Sequence, residues 1–123
     1  MSKTYTITDL SREFGITPRS IRHYEDESLL SPTRNGQQRV FTQRDRVRLQ
    51  LIQRGKSVGF SLAEIKEILD LYDLPHGEEL QAQVLKEKIT DRRRQLQQQQ
   101  KDLEHMFEEL DVIENRILPS MNK

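Results

Sequence analysis

The stretch Gly15-Ile16-Thr17-Pro18-Arg19-Ser20-Ile21-Arg22-His23-Tyr24 decides how this chain reads. Gly15 stands where a helix C-terminus takes a left-handed residue. Thr17 offers a capping oxygen, and Pro18 fits the first position of a new helix. One helix therefore stops and another starts around Ile16. Upstream, Ile7, Leu10 and Phe14 recur at helical spacing behind the capping pair Thr6 and Asp9. Downstream, Ile21 and Tyr24 mark an inner face, and the second helix is expected to end near Leu29-Leu30. Two short helices about a tight turn make a helix-turn-helix.

The following residues extend this core. Ser31-Pro32 breaks the helical pattern, and Asn35-Gly36 predicts a two-residue hairpin turn. Thr33-Arg34 and Gln38-Arg39-Val40-Phe41 are the flanking strands, so the hairpin reads as a wing. Thr42 and Asp45 open a third helix whose apolar face is expected to hold Val47, Leu51 and Ile52. Ser61 and Glu64 open a fourth, carrying Leu62, Ile65, Ile68, Leu69 and Tyr72. Asp73-Leu74-Pro75-His76-Gly77 interrupts the pattern as a linker.

From Leu80 to Ile117 there is no Pro or Gly. Ile89, Leu96, Leu103, Leu110 and Ile117 recur every seven residues, and Leu85, Arg92, Gln99, Met106 and Ile113 form the complementary set. This heptad seam predicts a coiled coil. Such a helix is roughly 55 Å long at ~1.5 Å per residue. It cannot bury its stripe on so small a domain, and a second copy is the simplest partner. Arg92 and Gln99 read either as imperfections in the seam, the favoured view, or as residues that fix its register. The fold class is thus mainly α: a winged helix-turn-helix domain over 1–73, a linker over 74–79, a dimerisation helix over 80–117 and a tail over 118–123.

Composition narrows the function. The chain has 123 residues and no net charge. Residues 1–60 hold eleven Lys and Arg against six Asp and Glu, a net of +5, and the remainder holds nine against fourteen, a net of −5. A basic front portion suits a polyanionic partner. There are no cysteines, which removes disulfides, thiolate metal ligands and thiol redox sensing. No apolar run suits a membrane span, and the first residues lack a signal core, so a cytoplasmic location is expected. No P-loop, GxGxxG or HExxH pattern is present, so an enzyme is not expected. No cofactor or metal is expected either. His76 and His105 read as solvated, and Arg92-Arg93-Arg94 as a solvated or interhelical run.

The second helix presents Thr17, Arg19, Ser20, Arg22, His23 and Tyr24 near its start and outer face. A recognition helix enters the major groove in this way. Arg34, Arg39 and Phe41 on the hairpin, and Lys56 after the third helix, complete the candidate DNA-binding set. Arginine either reads guanine or clamps phosphate, and the sequence leaves that choice open. Tyr24 can pack its ring inside and donate its hydroxyl outward. The candidate dimerisation set is Leu85, Ile89, Leu96, Leu103, Met106, Leu110, Ile113 and Ile117.

These residues resemble the MerR family of regulators. The match runs through Ile7-Thr8-Asp9-Leu10, Gly15 to Glu25, Leu29-Leu30-Ser31-Pro32, Arg39-Val40-Phe41, Arg44 to Leu49 and Gly59 to Ile65. The wording of residues 55–62 and the lack of cysteine look most like the LiuR-type regulators of branched-chain amino-acid and fatty-acid degradation. The resemblance implies an antiparallel coiled-coil homodimer that binds and distorts a pseudo-palindromic double-stranded promoter. It implies RNA polymerase as a further partner and, for an effector, a small molecule such as an acyl-CoA. Carried over by position, Arg22, Tyr24, Arg39 and Lys56 match DNA-contacting positions, with Arg19 beside them. His23 and Val40 stand where many members have Tyr. An excisionase-like architectural protein and a coiled-coil adaptor are the alternatives.

Overall fold

Three capping boxes set the phase of the helices. The side chains of Thr6, Thr42 and Ser61 accept from the backbone of Asp9, Asp45 and Glu64, whose carboxylates return the bond. Each box satisfies two N–H groups that a helix start otherwise leaves unpaired. The computed structural model describes residues 3–121. It runs β1 (Thr4–Tyr5), α1 (Ile7–Phe14), α2 (Pro18–Asp26), β2 (Thr33–Asn35), β3 (Gln38–Thr42), α3 (Gln43–Ser57), α4 (Leu62–Leu71) and α5 (Gly77–Val112). A π-helical segment, Ile113–Ile117, and α6 (Leu118–Met121) follow. The chain divides into two compact units, 1–84 and 85–123.

The first unit encloses Leu10, Ile21, Tyr24, Leu29, Leu30, Phe41, Leu49, Ile52, Phe60, Ile65 and Leu69. Full burial of such a side chain stabilises by about 1.5–3 kcal/mol. Gly15 closes α1 with φ 63, and Thr17 and Pro18 open α2 as expected. The helix-turn-helix is therefore present. The sheet order is β1-β3-β2, with both pairs antiparallel. Sequence reading did not anticipate β1, a two-residue edge strand too short to show alternation.

Several expected boundaries and faces differ. Helix α2 stops at Asp26, short of Leu29-Leu30, because Ser28 turns left-handed (φ 63) and drops both leucines into the core. The hairpin loop is Gly36-Gln37, one residue later than Asn35-Gly36. Asn35 pairs with Gln38, and Gly36 supplies the positive φ that a type II′ turn needs at its first central position. On α3 the inner face holds Asp45, Leu49 and Ile52, whereas Val47 and Leu51 are exposed. An inward-facing carboxylate decides this: Asp45 accepts from the Ser31 and Thr42 amides at 3.2 and 3.0 Å. Tyr72 caps α4 instead of joining its apolar face and is exposed.

Helix α5 starts at Gly77, three residues before the expected Leu80, so half of the expected linker is helical. The turn before it ends on the Gly77 amide, which donates to the Leu74 carbonyl at 2.8 Å. Gly77 is buried so closely that a Cβ there would lie 2.2 Å from the Leu71 carbonyl oxygen.

In the second unit the expected end at Ile117 is overrun, and residues 118–121 of the expected tail are helical. The Leu118 amide reaches back to the Ile113 carbonyl, five residues earlier. Pro119 has no N–H for Asn115, and its ring would crowd that carbonyl in a regular α-helix. The wider turn lies where that conflict arises. Along this unit Ile89, Leu96, Leu103, Met106, Leu110, Ile113 and Ile117 are exposed in the single chain, and Leu85 is half-buried.

Gly77→Ala should lower stability by about 1–3 kcal/mol, since backbone and not a pliable side chain must yield. A urea titration with an unchanged slope and a lower midpoint would show it. An unchanged midpoint would mean that the close approach is absent in solution.

Candidate nucleic-acid interface

Helix α2 has two opposed faces. Ile21 and Tyr24 are buried, and Arg19, Arg22 and His23, at i, i+3 and i+4, are exposed. Neither Arg19 nor Arg22 has a hydrogen bond or ion pair among the described residues. Both guanidinium groups are thus free for an external acceptor. At the helix start, Thr17 Oγ1 accepts from the Ser20 amide at 3.1 Å and lies 3.0 Å from Ser20 Oγ. These two hydroxyls fix the helix terminus, so both sit at the expected place with their oxygens engaged in the cap.

Tyr24 shows one of the two roles that its sequence position suggested, packing its ring inside. The whole residue is 3% exposed, so its ring belongs to the core. Its hydroxyl oxygen accepts from Lys56 Nζ at 3.2 Å and from Gln53 Nε2 at 3.4 Å. With both oxygen lone pairs taken, the hydroxyl hydrogen remains available to donate. The Lys56 ammonium also stands 5.5 Å from the ring centroid, a cation–π contact. Lys56 is thereby brought from the last turn of α3 to α2. Gln53 was not anticipated, because nothing in a helix interior marks a glutamine as a hydroxyl partner.

The wing behaves differently from expectation. Phe41 is fully buried, so its side chain belongs to the core and leaves the candidate contact set. It points inward because β3 alternates, placing Phe41 on the face opposite its neighbours Val40 and Thr42. Arg34 and Arg39 face each other across the hairpin. Both engage Glu25 in the last turn of α2, Arg39 Nε at 2.5 Å and Arg34 Nη2 at 3.4 Å. Glu25 was missed. The available signal was two like charges opposed across strands, an arrangement that calls for a counter-charge.

Much of the basic excess is likewise spent internally. Arg46 grips Glu13 through Nε at 2.9 and 2.8 Å and stands over the Tyr5 ring. The hydrogen bond from Arg46 holds the Glu13 carboxyl below its ordinary value, and Glu13 in turn raises Arg46. Arg44 pairs with Asp73 at 2.5 Å. Arg48 donates to the Leu29 carbonyl at 2.7 Å and reaches Asp70 at 3.4 Å. Burial pushes the Asp70 carboxyl up, but Lys66 and Arg48 outweigh it and hold the group below its ordinary value.

The helix-turn-helix family model, described as the MerR HTH family of regulatory proteins, matches residues 5–71, and a second, described as MerR DNA binding, matches 46–113. This chain belongs to the MerR family. It is a DNA-binding transcriptional regulator and not an enzyme. It is 30% identical over 121 residues to the transcriptional regulator CueR of Escherichia coli O6:H1, covering 94% of this chain and 80% of that one. The N-terminal part of MtaN, the multidrug transporter activator of Bacillus subtilis, superposes with a TM-score of 0.72 at 26% identity, covering 90% of this chain and 98% of that one. HiNmlR, a MerR regulator lacking the sensor domain and bound to promoter DNA, shares the fold with a TM-score of 0.67 at 23% identity, each chain covered to 91%.

Tyr24→Phe keeps the buried ring but leaves Lys56 and Gln53 without their acceptor. It should cost about 0.5–1.5 kcal/mol of stability and weaken duplex binding evenly across sequences. Equilibrium unfolding and fluorescence anisotropy would check both. Full retention of affinity would mean the hydroxyl faces no phosphate.

Proposed function

We propose that this MerR regulator binds a pseudo-palindromic promoter as a homodimer and distorts it. The carrying observation is the outer face of α2, where Arg19, Arg22 and His23 stand exposed above a buried Tyr24. In this reading Arg22 and Arg19 enter the major groove, and Lys56 and the wing arginines meet phosphate. The promoter complex of HiNmlR supports the mode of engagement. Bending or untwisting the site would add a deformability component to the direct contacts.

The second copy follows from the stripe. Seven seam residues from Ile89 to Ile117 lie exposed in the single chain, a surface that a soluble helix does not keep open. Antiparallel pairing of two such helices would cover it and set two recognition helices on one duplex. No helix among the described residues is long and apolar enough to cross a membrane. A regulator of this kind works on promoter DNA in the cytoplasm alongside RNA polymerase. Control of branched-chain amino-acid or fatty-acid catabolic genes rests on the wording of residues 55–62 and the lack of cysteine, and finds no counterpart among the relatives named above. Footprinting on the upstream region of its own gene, with and without acyl-CoA thioesters, tests that assignment and the effector together.

Arg22→Ala should weaken promoter binding by roughly 1–3 kcal/mol, seen as a shifted midpoint in a gel-shift titration. Unchanged affinity would remove α2 from the groove. Leu103→Asp should yield monomers by light scattering at micromolar concentration. A persistent dimer would exclude the seam as the interface.

A further inference from the structure

Glu25 occupies a place that the promoter-binding reading has not used. It lies in the last turn of α2, beyond the exposed Arg22, and its side chain is 19% exposed. It takes the Nε edge of Arg39 at 2.5 Å and one terminal nitrogen of Arg34 at 3.4 Å. Arg34 and Arg39 are cross-strand partners in a hairpin whose first strand is only three residues long and exposed throughout. Such a hairpin has little apolar surface with which to hold its own angle. Two opposed cations would also push its strands apart. One carboxylate answers both problems: it neutralises the pair and ties the hairpin to the helix beside it.

A guanidinium can serve two acceptors on different edges. With Nε given to Glu25, both terminal nitrogens of Arg39 have no partner among the described residues and remain free to donate. We propose, building on the promoter-binding reading, that Glu25 is a positioning residue for DNA. It holds the wing arginines at a fixed offset from the recognition helix and orients their remaining N–H groups toward phosphate. The chemistry has a cost in raw attraction, since a carboxylate near the duplex repels phosphate. The return is register: the wing cations can meet phosphates only when α2 is seated correctly. Glu25 thus favours the correct site over arbitrary DNA and does not simply add affinity.

The test uses the full-length protein and a duplex that it selects from a randomised pool, compared with an unrelated duplex of equal length. In Glu25→Gln, binding to the unrelated duplex should hold or rise, while the ratio of selected to unrelated affinity falls about fivefold or more. Asp26→Asn removes the same charge from the same helix end without touching either arginine. It should raise both affinities in parallel and leave the ratio intact. If the two variants behave alike, the effect is bulk charge and the proposal fails. Should Glu25→Gln not fold, Arg39→Lys replaces it, because an ammonium keeps the charge but cannot share two edges. A wild-type ratio in Arg39→Lys overturns the proposal, and a lowered one supports it. If the wild-type protein enriches no duplex at all, the promoter-binding reading itself falls, and this one with it.

Discussion

The DNA-binding unit depends on one inward carboxylate. Asp45 is the buried charged side chain among the described residues. It accepts from the Ser31 amide, which precedes the hairpin, and from the Thr42 amide and hydroxyl, which end it. Both feet of the wing are thereby pinned to the start of α3. A charge so enclosed is tolerated only when its oxygens are satisfied, and here both carboxylate oxygens accept hydrogen bonds. The same residue completes the capping box of α3, so the start of one element and the base of another are a single arrangement.

Tyr24 and Glu25 extend this logic to α2. The first is fastened to α3 through Lys56 and Gln53, the second to the hairpin through Arg34 and Arg39. Adjacent residues thus face opposite neighbours. The exposed surface, with Arg19 and Arg22 uncommitted and His23 beside the Tyr24 ring, is small and projects from a helix held on both flanks. Rigid support of a short exposed surface limits the conformational freedom that it would lose on binding.

The helix-turn-helix was legible because its signals are local. Thr6, Gly15, Thr17, Pro18, Thr42 and Ser61 each act on the residues next to them, and each did what its chemistry dictates. Faces were less legible. Counting apolar residues put Val47 and Leu51 inside α3, but Asp45 turned that helix the other way. Ionic partnerships were hidden altogether. Arg46 meets Glu13 and Arg48 meets Asp70 across more than twenty residues, so a tally of charge along the chain overstated how many cations face outward. The exposed arginines of α2 were readable, since helical spacing alone separates them from Ile21 and Tyr24.

The π-helical segment alters the arithmetic of the stripe. A π turn amounts to one residue inserted into an α-helix, which advances every later position by nearly a third of a revolution. Past Ile113 the heptad frame therefore slips. Leu118 inherits the angular position that Ile117 would have held, and the apolar line bends toward a new azimuth at its end. The line of apolar side chains therefore does not run straight to the end of the helix, and the turn just before Pro119 is where it shifts.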